Sequence, residues 1–151
     1  IEKDGKYLML HRVKKENDLN RDKWVGIGGK FEDGESPEEC NAREVLEETG
    51  LTLLNAHYRG IVTFVSDKWE TEYMHIFHSD AFTGEIKECD EGTLEWIDKQ
   101  ELYSKPIWEG DKIFLRLLEK PTPFFSRTLQ YIGETLVNSV LHFAEQKEEI
   151  L

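Results

Sequence analysis

Cysteine is scarce in this chain of 151 residues, with only Cys40 and Cys89 present. They stand far apart and in no metal-ligand spacing, so neither a disulfide framework nor a thiolate metal site is expected. Two lone cysteines fit a reducing compartment, and a cytoplasmic location is the expectation. No apolar run approaches the roughly 20 residues that a membrane span needs, and no signal peptide is visible, so no membrane partner is expected. Positive charge is short as well: 19 Lys and Arg stand against 31 Asp and Glu, a net charge of −12. A basic face for wrapping a nucleic-acid polymer is therefore lacking. A single nucleotide is still compatible, because bound metal can neutralise its phosphates. Internal repeats and low-complexity segments are absent. The length suits one domain, 1–151, with a proper core and little room for a second. The chain opens at Ile1 without Met, which leads us to expect a few leading residues ahead of it.

What the chain does have is an acidic helix behind a glycine-rich loop. Ser36-Pro37-Glu38-Glu39 reads as a helix start, with Ser36 as N-cap, Pro37 at the first position and Glu39 closing a capping box. Gly50 is a natural left-handed stop. At about 100° per residue, Ala42, Val45, Leu46 and Thr49 share one face fit for burial. Glu44, Glu47 and Glu48 stand at i, i+3 and i+4 on the other side, where like charges repel. A divalent cation turns that repulsion into attraction, and carboxylate oxygens suit hard ions such as Mg²⁺. Ahead of the helix, Trp24 to Ile27 reads as a strand running into Gly26-Ile27-Gly28-Gly29-Lys30. Glycines there let backbone approach a ligand or metal, and Lys30 can meet a phosphate.

Residues 29–51 fill every specified position of the pattern G-x5-E-x7-R-E-U-x-E-E-x-G-U, with U aliphatic. Chance would supply such a match on the order of once in 10^8 start points. The run resembles the signature box of the Nudix hydrolases, which cut pyrophosphate linkages with divalent metal. The resemblance implies an α/β fold, the Nudix α/β/α sandwich with a mixed β-sheet and a catalytic loop-helix-loop. It also implies Mg²⁺ as cofactor, with Mn²⁺ able to substitute. Glu47 and Glu48 correspond to the principal metal ligands, and Glu44 to a further ligand or the general base. The Gly28 carbonyl corresponds to an additional ligand. Arg43 and Glu35 correspond to an internal pair that orients the catalytic helix. Some members add a carboxylate from a later loop; within Glu88-Cys89-Asp90-Glu91 the candidate is Glu91, followed by Glu88.

Two further segments bear on substrate. Trp24-Val25-Gly26-Ile27-Gly28-Gly29-Lys30 resembles the W-x-G-x-G-G-K strand of the 8-oxo-dGTP diphosphatases, placing Trp24, Gly29 and Lys30 at the substrate. Ile107-Trp108-Glu109-Gly110-Asp111 resembles their M-W-P-D-D segment, which implies Trp108 stacked on a purine and Asp111 bonded to its edge. Two positions depart from that pattern: Val25 stands where relatives can carry Asn, and Gly110 replaces the first of the paired acids. The implied activity is hydrolysis of a nucleoside triphosphate, an oxidised purine such as 8-oxo-dGTP, to monophosphate and pyrophosphate. That would be nucleotide-pool sanitation allied to DNA repair, by a monomer or homodimer acting on a small molecule. A diphosphatase for a nucleotide sugar or dinucleotide is the alternative within the family. A non-catalytic nucleotide sensor is the alternative outside enzymology.

Elsewhere the periodicity predicts a strand at Tyr7–His11 after an Asp4-Gly5 turn, and a polar loop from Lys14 to Lys23. A hairpin is expected from His57–Val65 and Glu72–Phe82 about a Ser66-Asp67-Lys68 turn. An acidic loop, Gly84 to Gly92, leads into a strand at Thr93–Ile97. Asp98 is expected to cap a short helix, and a second helix follows over Asp111–Glu119. A C-terminal hairpin, Phe124–Tyr131 with Thr135–Phe143, should turn near Gly133, before a polar tail from Glu145.

Overall fold

The computed structural model describes residues 1–14 and 18–144; the tail from Glu145 lies outside them. In chain order the elements are β1 (Glu2–Lys3), β2 (Lys6–His11), β3 (Trp24–Val25), α1 (Pro37–Thr49), β4 (Thr52–Leu53), β5 (His57–Ser66), β6 (Glu72–His78), β7 (Phe82–Thr83), β8 (Thr93–Asp98), a 3₁₀ turn (Glu101–Ser104), α2 (Glu109–Leu118), β9 (Phe125–Ile132) and β10 (Thr135–Phe143). They fall into two compact units, Ile1–His57 with Phe77–Trp108, and Tyr58–Ile76 with Glu109 onward.

In the first unit β2 is central. It pairs antiparallel with β1, β3 and β8, from Lys6 opposite Asp98 to His11 opposite Thr93. Asp4 and Gly5 make the expected turn, both with positive φ, as a tight hairpin requires. β3 is shorter than the expected Trp24–Ile27: pairing ends at Val25, where the glycines that follow favour a loop over a strand. Leu8 of β2, Val45 of α1 and Leu51 form a buried core, flanked by Ile27, Leu53, Phe82, Leu94 and Trp96.

The expected strand Glu72–Phe82 stops at His78. The Asn55 side-chain oxygen accepts from the Ser79 hydroxyl (2.9 Å) and from the backbone N–H groups of Asp80 and Ala81 (both 3.1 Å). Those bonds hold residues 79–81 on Asn55, outside the strand, and Phe82 pairs with Leu53 of β4. Asp98 accepts from the Gln100 N–H at 2.9 Å, steadying the 3₁₀ turn that was expected as a short helix.

The second unit carries a sheet in the order β10-β9-β5-β6. β5 and β6 are neighbours, as the turn between them led us to expect. β9 and β10 form the expected hairpin, turning at Gly133. β5 and β9 run parallel, Gly60 opposite Phe125, so this sheet is mixed. Val62, Leu115, Phe125, Leu129 and Tyr131 are buried. No helix among the described residues is long and apolar enough to cross a membrane.

Candidate active site

Helix α1 has the ends that its sequence predicts. The Ser36 hydroxyl accepts from the Glu39 N–H at 3.1 Å, the Glu39 carboxylate accepts from the Ser36 N–H at 3.2 Å, and Gly50 is left-handed at φ 81. Its buried face is only in part the one expected. Val45 and Thr49 are buried, but Ala42 is exposed and Leu46 is 49% exposed. The stripe instead swings through buried Cys40 and half-buried Glu44 and Glu48. The cause is the glycine loop, which lies along the acidic side. The Gly28 N–H donates to Glu48 Oε2 at 3.1 Å, and a Cβ on Gly29 would fall 2.3 Å from Glu44 Cδ. Backbone without side chains thus covers carboxylates on the side away from the expected apolar stripe.

Arg43 organises one side of this arrangement. Its Nε and Nη2 donate to the two oxygens of Glu35 at 2.7 and 2.8 Å, a bidentate pair. Nη1 donates to Glu44 at 2.8 Å and to Glu47 at 3.1 Å, and Nη2 also reaches the Lys30 carbonyl at 3.0 Å. One guanidinium therefore ties the loop, the helix start and two carboxylates together. The Arg43 bonds, followed by the Glu32 N–H, push the Glu35 carboxyl down to about 2. Arg43 itself is driven above its ordinary value by Glu35 and then Glu44.

On the other side stands Glu48. Burial pushes its carboxyl up to about 7; Glu91 and Glu44 add to the rise, while the Gly28 N–H and Arg12 oppose it. Glu91 and Glu44 each therefore repel the charged form of Glu48. Arg12 Nη1 donates to Glu91 at 2.9 Å, and its Nε donates to Asp18 at 2.5 Å. Glu88 does not join the group: its side chain is 91% exposed and meets Lys14 at 3.4 Å. Glu47 is 58% exposed. Among the described residues no three His, Cys, Asp or Glu side chains already form a coordination cluster. Arg43 and Arg12 instead hold Glu44, Glu47 and Glu91. The donor set nonetheless suits a hard divalent ion, since a half-buried carboxylate crowded by two others is what an oxygen-seeking cation relieves.

The residues expected at the substrate have their own surroundings. Trp24 is buried and stacked on His11, with ring centroids 4.4 Å apart and planes 9° apart. Trp108 is only 7% exposed; its indole N–H donates to Asn20 at 2.7 Å, and the Lys23 ammonium lies 4.6 Å from the ring centroid. The side chain of Lys30 is on an exposed residue. Asp111 is half-buried in the first turn of α2, in the second unit, whereas Trp108 closes the first. Gly110 is set by packing: its N–H donates to the Tyr131 hydroxyl at 2.7 Å, and a Cβ there would fall 2.6 Å from both that oxygen and Leu129 Cδ1. An acid has no room at 110, which accounts for the departure from the paired-acid pattern.

Arg12, Asp18, Asn20 and Lys23 were not singled out from the sequence. The available signal was their position, immediately after a strand or within the polar loop expected from Lys14 to Lys23.

The NUDIX domain family matches residues 1–118. A Nudix hydrolase of Bacillus subtilis (strain 168) is 32% identical over 139 residues, covering 89% of this chain and 84% of that protein. The oxidized purine nucleoside triphosphate hydrolase of Danio rerio is 39% identical over 98 residues, covering 64% of this chain and 62% of that protein. The crystal structure of the mutator MutT protein of Bacillus halodurans superposes with a TM-score of 0.81 at 30% identity, covering 91% of this chain and 90% of that one. The mixed α/β fold is thus shared with a MutT structure.

Proposed function

The chain belongs to the Nudix hydrolase family, and we propose that it hydrolyses nucleoside triphosphates, oxidised purines such as 8-oxo-dGTP foremost, to nucleoside monophosphate and pyrophosphate. The observation that carries the chemistry is the seating of two α1 carboxylates on the glycine loop, Glu48 on the Gly28 N–H and Glu44 against Gly29, with the charge of Glu91, from the loop before β8, acting on Glu48. Support for purine substrates comes from the likeness to the Danio rerio enzyme, whose name states that class.

In this reading Glu44, Glu47, Glu48, Glu91 and the Gly28 carbonyl would hold Mg²⁺ or Mn²⁺. The ion would supply charge neutralisation at the phosphates and a lowered pKa for bound water. The protein's own residues supply geometry and proton handling. Arg43, locked on Glu35, fixes the loop against α1, so that Glu44 is held at Gly29 by a 2.8 Å bond from Arg43. A carboxylate so placed is suited to accept the proton of an attacking water. Arg12 keeps Glu91 beside Glu48 while both are charged. Lys30, on an exposed residue of the loop, is available to the phosphate chain. In the same reading Trp108, which carries the Lys23 ammonium over its ring, would stack on the base, and Asp111 would bond its edge.

The burial of Trp108 and the loss of an acid at Gly110 favour a second reading, hydrolysis of another nucleoside diphosphate derivative such as a nucleotide sugar or dinucleotide. The deciding experiment is a Mg²⁺-dependent screen of 8-oxo-dGTP, the normal nucleoside triphosphates, nucleotide sugars and dinucleotides, reading pyrophosphate or phosphate release. The largest kcat/KM on an oxidised purine triphosphate supports the first reading. A larger value on a nucleotide sugar or dinucleotide replaces it with the second.

A further inference from the structure

In the second unit, β10 is the outer strand of the sheet among the described residues. Outer strands leave backbone donors and acceptors unpaired, and proteins usually guard them with charge or proline. The opposite edge, β6, opens on a charge, Glu72, beside exposed Tyr73 and Met74, with Glu70 just ahead of the strand. β10 does not: Thr135–Phe143 reads TLVNSVLHF, with neither Asp, Glu, Lys, Arg nor Pro. The whole hairpin from Phe125 to Phe143 holds one Arg and one Glu, in a chain of net charge −12. Its exposed side chains include Ile132, Val137, Val140 and Phe143. It also lies beyond residues 1–118, where the family match ends.

From these observations we infer that β10 is a homodimerisation edge, and that its occupant is the β10 strand of a second copy of this chain. The charge distribution selects the occupant. Two molecules of net charge −12 repel over most of their surfaces, and the hairpin is a face on which they can meet without opposing carboxylates. The pairing is antiparallel and two-fold, continuing the sheet across the interface. A bulge between Leu136 and Asn138 interrupts the register with β9, and Asn138–Phe143 then pairs regularly from Gln130 to Phe125. A two-fold axis through Val140 uses that regular run. It sets Val140 opposite its own counterpart, and Asn138 opposite His142 of the second copy. Val140 lies on the same sheet face as Thr128 of β9, so the two valines extend that face.

Sedimentation of the full chain should give a mass twice 17.7 kDa at micromolar concentration. Val140→Lys places two ammonium groups face to face and should weaken self-association at least tenfold, with an unchanged circular-dichroism spectrum. Met74→Lys, at the other edge, should leave the dimer intact. A second measurement does not depend on that lysine variant folding. Cys40 and Cys89 are both buried, so Val140→Cys presents a thiol that should oxidise to a covalent dimer, whereas Met74→Cys should not. A chain that stays monomeric at about a hundred micromolar overturns the inference. So does a dimer equally strong in Val140→Lys, or equal cross-linking through Val140→Cys and Met74→Cys.

Discussion

A Cβ on Gly29 would stand 2.3 Å from the Glu44 carboxyl carbon and 2.4 and 2.5 Å from its two oxygens. The missing side chain at 29 therefore makes the space in which Glu44 sits. Gly29→Ala should push the Glu44 carboxylate out of line while leaving the fold in place, because the displaced atoms end a flexible side chain. Misplacement of about 1 Å can cost on the order of 100-fold in rate, and we expect kcat to fall by roughly 10- to 100-fold. Steady-state kinetics together with a thermal melt test this. An unchanged kcat would remove Glu44 from the reaction.

Arg43→Lys keeps the charge and loses the planar fork that grips Glu35. We expect kcat to drop at least tenfold, with a smaller effect on KM. The pH profile of stability gives a separate readout. Glu35 titrates at about 2 in the folded chain against an ordinary 4.5. Its contribution is therefore present above pH 4.5 and lost as pH falls toward 2. Urea unfolding of the variant should show a shallower loss over that window than the parent, and identical slopes would mean that Arg43 does not hold Glu35 in solution.

Glu48→Gln tests the carboxylate whose pKa moves the other way. In the metal-free chain burial raises it from 4.5 to about 7, so the folded state holds an extra proton between those values. The associated stability is complete below pH 4.5 and is lost as pH rises through about 7. Metal-free melts of the parent should therefore carry a downward component across that window, and the Gln variant should lack it. Turnover should collapse by at least 100-fold in the variant, and chelator should abolish it in the parent. Hydrolysis that survives exhaustive metal removal would defeat the proposed chemistry.

Base recognition can be separated from structure by two substitutions. Trp108 is buried, so Trp108→Ala should cost about 3–5 kcal/mol of stability whatever its role. Its effect on purine KM, roughly 5- to 150-fold for a lost stack, must be read at a temperature where the variant stays folded. Asp111→Asn keeps the shape and changes which hydrogen bonds can be accepted. It should erase preference among 8-oxo-dGTP, dGTP and a pyrimidine triphosphate without altering metal affinity. Equal losses of kcat/KM on all three would make Asp111 a structural residue.

Much of this chain was legible because its signals are local. Ser36, Pro37, Glu39 and Gly50 act on backbone groups within one turn, so α1 has the expected ends. The Gly133 hairpin and the strands flanking it are short-range for the same reason. The Nudix resemblance implied an Arg43–Glu35 pair, and the Arg43 Nε donates to Glu35 at 2.7 Å.

Tertiary structure decided what depends on segments distant in sequence. Helical periodicity gave Leu46 to the core, yet the glycine loop covers Glu44 and Glu48 and leaves Leu46 outside. The two-residue strands β4 and β7 pair next to residues 79–81, which Asn55 holds by a contact that no window of neighbouring residues contains. Arg12 becomes part of the candidate site only when Glu91, 79 positions away, reaches it. Trp108 is an aromatic beside a helix in sequence, and packing alone sets Asn20 and Lys23 on it. Local propensity specifies caps, turns and strand lengths; burial and charge pairing are properties of surfaces that meet only after the chain has folded.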